Sequence, residues 1–203
     1  MEALAKHLST VFTPRNAPNA DETDIDLVLN QDLQLDVPLK PVTPNETART
    51  IKSMKNNKAP GFDLIDKKVL EELPRKAVVY LTMAFNAMMR IGYFPDLWKV
   101  SQVMMIYKPG KPPHELTSYR PISLLPVMSK IFEKCLLFRL NLDLDKKSIV
   151  PDHQFGFRKE HSTIEQVHRV CRKIQNSFEK KEYCSSAFLD IQQAFDKVWH
   201  RGL

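Results

Sequence analysis

The 203-residue chain has only five glycines and three cysteines, and it contains no long apolar run. Each shortage excludes something. No stretch approaches the roughly 18–20 apolar residues that a membrane-crossing helix needs. The opening residues, Met-Glu-Ala-Leu-Ala-Lys-His, lack the unbroken apolar centre of a signal peptide. Cys135, Cys171 and Cys184 are odd in number and widely spaced, with no CxxC pair. That argues against a disulfide framework or a cysteine-built zinc site and fits a reducing, intracellular compartment. The six histidines show neither HxxxH nor HExxH spacing, and neither GxSxG nor GxxxxGK[ST] occurs. Zinc hydrolase, nucleophile-elbow and phosphate-loop chemistry therefore have no support.

What is present describes a globular protein with an uneven charge. The composition is 43% hydrophobic and 27% charged, and 14 prolines punctuate periodic stretches rather than forming a low-complexity tract. Residues 1–50 carry 4 basic and 8 acidic groups, net −4, whereas residues 51–203 carry 26 and 16, net +10. A polyanionic partner belongs with the basic portion.

Residues 1–12 read as a short helix with Leu4, Leu8, Val11 and Phe12 on one face, and residues 13–42 as an acidic, proline-marked linker. Thr43, Pro44 and Glu46 form a capping-box start for a helix that runs to about Lys55. A second helix follows Pro74, with Val78, Leu81, Phe85 and Met88 at helical spacing and Gly92 placed to end it. Residues 101–107 read as a strand. Helices are expected over about 126–142, with the stripe Val127, Ile131, Cys135, Phe138 and Leu142, and over about 162–181, with Ile164, Val167, Cys171, Ile174 and Phe178. Both stripes are read as core. A last strand over 183–190 leads into a helix near Gln192.

Taken singly, the segments that could carry chemistry are ambiguous. Asp190 at a strand end fits either a divalent-cation ligand or a helix cap, and Asp196 fits a structural partner. Lys108 and Lys111 flank a Pro-Gly turn, which suits either a phosphate grip or a solvated hairpin. Arg120, between Tyr119 and Pro121, suits bidentate phosphate recognition or packing on the tyrosine. Gln154-Phe-Gly-Phe157-Arg158, with His161 to follow, can track a nucleic-acid backbone or plug a core with its phenylalanines. Lys58-Ala-Pro-Gly61-Phe-Asp63 reads only as a turn.

Their order is more specific than any of them. Lys58-Ala-Pro-Gly-Phe-Asp-Leu-Ile65, Phe94-Pro-Asp-Leu-Trp98 and Ile106-Tyr-Lys-Pro-Gly-Lys111 come first. Ser118-Tyr-Arg-Pro-Ile-Ser-Leu-Leu125 with Lys130-Ile-Phe-Glu-Lys134, Gln154-Phe-Gly-Phe-Arg158 and Phe188-Leu-Asp-Ile-Gln-Gln-Ala-Phe-Asp-Lys-Val-Trp199 follow. This series resembles the reverse transcriptase of non-LTR (LINE-type) retrotransposons, jockey-like elements above all, strongly over residues 45–203 and weakly over 1–12. The resemblance implies an α+β, mostly helical, incomplete right-hand polymerase. Residues 1–42 would precede the polymerase, 43–180 would form the fingers, and 181–203 the first strand and helix of the palm.

Carried over by position, the resemblance makes Asp190 a catalytic carboxylate that holds Mg²⁺ (or Mn²⁺) ions, with the Ile191 carbonyl assisting. Lys108 and Arg120, with Lys111 as helper, would hold the incoming deoxynucleoside triphosphate, and Phe195 would select its sugar. Gln154, Phe157 and Arg158 would lie near nucleic acid. The partners would be an RNA template and a DNA primer, with no membrane, in a cytoplasmic and nuclear ribonucleoprotein. Tyr107 departs from the proline common at that place in the family, which should alter loop stiffness rather than charge.

A later palm segment with two further catalytic aspartates has no counterpart before Leu203, nor has a thumb. The expectation is a truncated reverse transcriptase that does not polymerise alone. A non-catalytic nucleic-acid-binding remnant and a functionless pseudogene product are the alternatives.

Overall fold

The structure, a computed structural model, describes residues 2–14, 25–27, 30–31, 40–191 and 193–200. About half of the described residues are helical rather than most of them, and they include one two-stranded antiparallel sheet. The elements are α1 (Glu2–Val11), α2 (Pro44–Ser53), α3 (Lys67–Glu71), α4 (Arg75–Ile91), β1 (Gln102–Tyr107), β2 (Tyr119–Leu124), α5 (Val127–Lys146) and α6 (Thr163–Glu179). None of these helices is long and apolar enough to cross a membrane. The chain divides into two compact units, residues 30–143 and residues 1–29 with 144–203.

The first unit holds a core. Helix α2 begins as its capping residues dictate: the Thr43 hydroxyl accepts from the Glu46 N–H at 3.2 Å, and Pro44 opens the helix. The Glu46 carboxylate turns chiefly to Arg139 of α5, with Nη1 and Nη2 at 2.7 and 3.0 Å. This fork holds the carboxyl below its ordinary glutamate value, and the Thr43 N–H adds to the effect. Arg139 also donates from Nε to the Lys40 carbonyl at 2.6 Å. Asn86 of α4 grips the same entering segment, accepting from the Val42 N–H at 2.7 Å and donating to its carbonyl at 2.9 Å. Val42 is buried as a result of that docking.

Apolar side chains from α2, α3, α4 and α5 meet in one cluster: Ile51, Leu70, Phe85, Val127, Ile131 and Phe132. Phe85 packs on Phe132 at 5.3 Å between centroids and edge-on to Trp98 at 6.2 Å. Such pairs stabilise by about 0.5–1.5 kcal/mol each beyond the area they bury. Helix α4 ends where Gly92 adopts φ +62°, the left-handed conformation of a helix terminator. Gly61 has a different role. A Cβ there would lie 2.5 Å from the Pro126 nitrogen and 2.7 Å from the Leu125 carbonyl carbon, so the turn at 58–63 presses bare backbone against the entry to α5.

The second unit is held more locally. A full capping box starts α6: the Ser162 hydroxyl accepts from Glu165 N–H at 3.2 Å, and the Glu165 carboxylate accepts from Ser162 N–H at 2.7 Å. These donors hold Glu165 below its ordinary value. The apolar stripe of α6 is not core. Ile164, Val167, Cys171 and Phe178 are exposed, and within the helix only Ser177 is buried. Helical periodicity shows that a face is apolar but not that anything covers it. The stripe on α5 divides: Val127, Ile131 and Cys135 are buried, while Phe138 and Leu142 are exposed.

The strand expected over 183–190 does not form. Those residues are irregular and exposed, with no strand beside them among the described residues to supply the hydrogen bonds a strand needs. The helix expected from Gln192 is a set of turns over 193–197, with one helical bond from Lys197 N–H to the Gln193 carbonyl at 3.1 Å. Gln192 itself lies outside the described residues.

Candidate functional site

Lys108, Lys111 and Arg120 belong to one hairpin in the first unit. Strand β1, foreseen from sequence, pairs with β2, which was not, in the register Gln102↔Leu124 to Tyr107↔Tyr119. Pro121 is tolerated in β2 because each strand of a two-stranded ribbon keeps an open edge. The Pro109-Gly110 turn closes with the Lys111 N–H donating to the Lys108 carbonyl at 3.3 Å, Gly110 taking φ +80°. Both lysines thus leave from one four-residue turn. The Lys108 backbone N–H donates to the Ser118 carbonyl at 2.8 Å, and its ammonium to the Thr117 carbonyl at 2.7 Å. Lys111 and Arg120 are exposed.

Two tyrosines that face each other across the last register pair shape this loop. Their rings meet edge-on at 5.7 Å. The Tyr107 hydroxyl donates to the Lys111 carbonyl, and the Tyr119 hydroxyl to the Pro113 carbonyl at 3.0 Å. The loop-shaping role of Tyr119 depends on the strand register and carries no local sequence signal. Ser118, at the loop's far end, is buried, and its hydroxyl oxygen has no hydrogen-bond partner among the described residues.

The aromatic-basic loop lies in the second unit. Phe155 is half-buried, edge-on to His161 at 4.8 Å and beneath the Arg169 guanidinium of α6 at 4.9 Å. Phe157 is 99% exposed with φ +57°, a conformation a phenylalanine rarely adopts. One phenylalanine therefore packs and the other faces outward. The Gln154 N–H donates to the Pro151 carbonyl at 3.0 Å, and Arg158 donates to the same carbonyl at 3.1 Å. Phe157 meets Phe195 edge-on at 5.9 Å, so the structure brings together two residues singled out separately in the sequence. Asp190 and Ile191 are exposed in the irregular segment before that turn.

A further feature emerges only in three dimensions. A groove of about 1180 Å³ runs beside α5, with Lys55, Lys58, Lys130 and Lys134 on its walls and Leu137 and Leu140 among its apolar lining. Lys58, Lys130 and Lys134 come from two of the ordered blocks, Lys55 lies outside them, and the Gly61 contact sets the first block against the entry to α5. Glu133 sits on the same wall; burial raises its carboxyl above the ordinary value, opposed by Lys130.

Divalent ions serve the enzymes these blocks resemble, and the residues described here do not make such a site on their own. Asp190 stands without converging ligands, and no group of three His, Cys, Asp or Glu placed to hold a metal occurs among the described residues.

Comparison with known proteins agrees with the ordered blocks. Residues 106–203 match the family model described as reverse transcriptase (RNA-dependent DNA polymerase). Over its whole length the chain is 48% identical to the probable RNA-directed DNA polymerase from transposon X-element of Drosophila melanogaster. It is 45% identical over 98% of its length to the probable RNA-directed DNA polymerase from transposon BS of the same species. It is 44% identical, again over all of its length, to the RNA-directed DNA polymerase from mobile element jockey. The chain spans about a fifth, 22%, of the length of these curated relatives. With close to half its residues identical to these relatives across its length, the chain belongs to the reverse transcriptase family of jockey-like, non-LTR retrotransposons.

Proposed function

We propose that the chain serves RNA-directed DNA synthesis, supplying the fingers and the entrance to the palm of a polymerase that acts on an RNA template and a DNA primer. The observation that carries this is the 48% identity over the entire chain to a protein whose name states that activity. Residues 43–180 are read as fingers, 181–203 as the start of the palm, and 1–42 as the segment before the polymerase.

In this reading Lys108 and Arg120, with Lys111 as helper, meet the triphosphate of the incoming nucleotide. Their shared hairpin supports the assignment, since a rigid two-stranded ribbon keeps the three cations together. Lys108 would exchange the Thr117 carbonyl for phosphate oxygens, a stronger, charge-assisted partner. Phe195 selects the sugar, and its contact with Phe157 links it to the loop where Gln154, Phe157 and Arg158 meet nucleic acid. Asp190 and the Ile191 carbonyl contribute to a Mg²⁺ site whose remaining ligands come from the part of the polymerase that this chain does not contain.

Replacing the matching segment of the jockey polymerase with residues 45–203 of this chain tests the reading. The chimera is expected to extend a DNA primer on RNA, and Asp190→Asn within it to cut extension by roughly 10²-fold or more. A folded but inactive chimera, or extension indifferent to Asp190→Asn, overturns the reading.

A second reading is supported by Phe157, exposed beside Arg158, and by the net charge of +10 over residues 51–203. It is single-stranded nucleic-acid binding without catalysis. Salt-sensitive binding of single-stranded RNA by the 203-residue chain, abolished by Phe157→Ala with Arg158→Ala, is its expected signature.

A further inference from the structure

We propose that Tyr107 and Tyr119 are positioning residues: their hydroxyls fix the 108–118 loop so that Lys108 and Lys111 can close on a polyphosphate. The inference rests on the reading of those lysines as triphosphate contacts and adds what holds them in place.

Lysine is a flexible donor. Two ammonium groups on a loose loop lose much of their attraction to the entropy of being gathered around a ligand, and a loop already fixed in shape avoids that loss. The 108–118 loop is fixed from its strand ends. Tyr107, the last residue of β1, reaches over the Pro-Gly turn to the carbonyl of Lys111, the second cation itself. Tyr119, the first residue of β2, reaches to the Pro113 carbonyl on the outgoing side of the loop. The two rings brace each other edge-on at 5.7 Å, so neither hydroxyl can swing without disturbing the other. Neither hydroxyl is needed for the sheet register, which the backbone ladder sets.

Tyr107 thereby gains a reason. Where the family resemblance leads one to expect a proline, stiffness comes from a fixed backbone angle. Here a tyrosine supplies it through a side-chain bond to a residue four positions on. The two solutions are exchangeable in principle, and that gives the inference its own test.

The probe is inorganic tripolyphosphate, titrated into the 203-residue chain at low salt and followed by calorimetry. Tyr107→Phe and Tyr119→Phe, each removing one hydroxyl, are expected to weaken binding by about two- to tenfold. The thermal unfolding midpoint should stay at the wild-type value. Tyr107→Pro, which stiffens the loop through the backbone, is expected to bind more tightly than Tyr107→Phe, a gain that simple loss of packing would not give. If the wild-type chain binds and Tyr107→Phe binds equally well, the positioning role is overturned while the lysine reading stands. If the wild-type chain does not bind, or if Lys108→Ala with Lys111→Ala binds as tightly as wild type, the reading of the lysines falls first and the inference with it.

Discussion

Residues 30–143 and the unit formed by residues 1–29 and 144–203 are comparably rich in apolar side chains and use them differently. In the first, Phe85, Ile131 and Phe132 are sealed in a cluster that four helices share. In the second, Phe178 is 75% exposed, Phe188 85% and Leu189 95%. Yet α6 is as well formed a helix as α4. The difference separates two causes that sequence patterns confuse. A capping box sets where a helix begins from residues three apart, whereas a core needs faces from several elements to converge.

The comparison can be broken at its strongest point first. Phe85→Ala empties the centre of the cluster and should destabilise the first unit by about 3–5 kcal/mol. Denaturant unfolding of a Trp199→Phe background, where Trp98 alone reports, measures it; a loss below about 1 kcal/mol would mean the cluster is not the core. Gly61→Ala is next. Its methyl must displace the backbone at Leu125 and Pro126, at a cost of about 1–3 kcal/mol in the same assay.

Ser162→Ala removes a cap rather than a core contact and should cost α6 about 1 kcal/mol, seen as lost helical circular dichroism with Trp98 fluorescence unchanged. Smaller still is a pH effect at Glu46. Its folded value is depressed, so its contribution is complete above pH 4.5 and disappears as pH falls through the lowered folded value. Wild type should therefore lose stability relative to Glu46→Gln across that window, and parallel profiles would refute the Arg139 pairing as the cause. Smallest of all, Phe178→Ala should change stability by less than about 0.5 kcal/mol, because an exposed ring has little burial to lose. A large loss there would show that the stripe of α6 is covered after all.

The elements that were legible in the sequence have local causes. Thr43-Pro44 and Gly92 marked helix ends with residues whose side chains or backbone freedom act within four positions, and each acts as expected. The unread parts depend on distant partners. Strand β2 exists because β1 lies opposite it, the turn at Gly61 is tight because Pro126 is there, and the 183–190 segment stays irregular without a neighbouring strand. Likewise for the candidate site: charge and order gave Lys108, Lys111 and Arg120, but the tyrosine brace that shapes their loop follows from the strand register, which no single segment contains.

Arg139 has a consequence for the order of events during synthesis. Its guanidinium joins Glu46, 93 residues earlier, and the Lys40 carbonyl, 99 residues earlier. At about 5–20 residues per second, the ribosome delivers that arginine roughly 5–20 seconds after the residues it clasps. Until then α2 can be capped by Thr43 and its entering segment held at Val42 by Asn86, but the Glu46 carboxylate and the Lys40 carbonyl wait for their guanidinium. The first unit is therefore finished from its far end, as α5 leaves the exit tunnel.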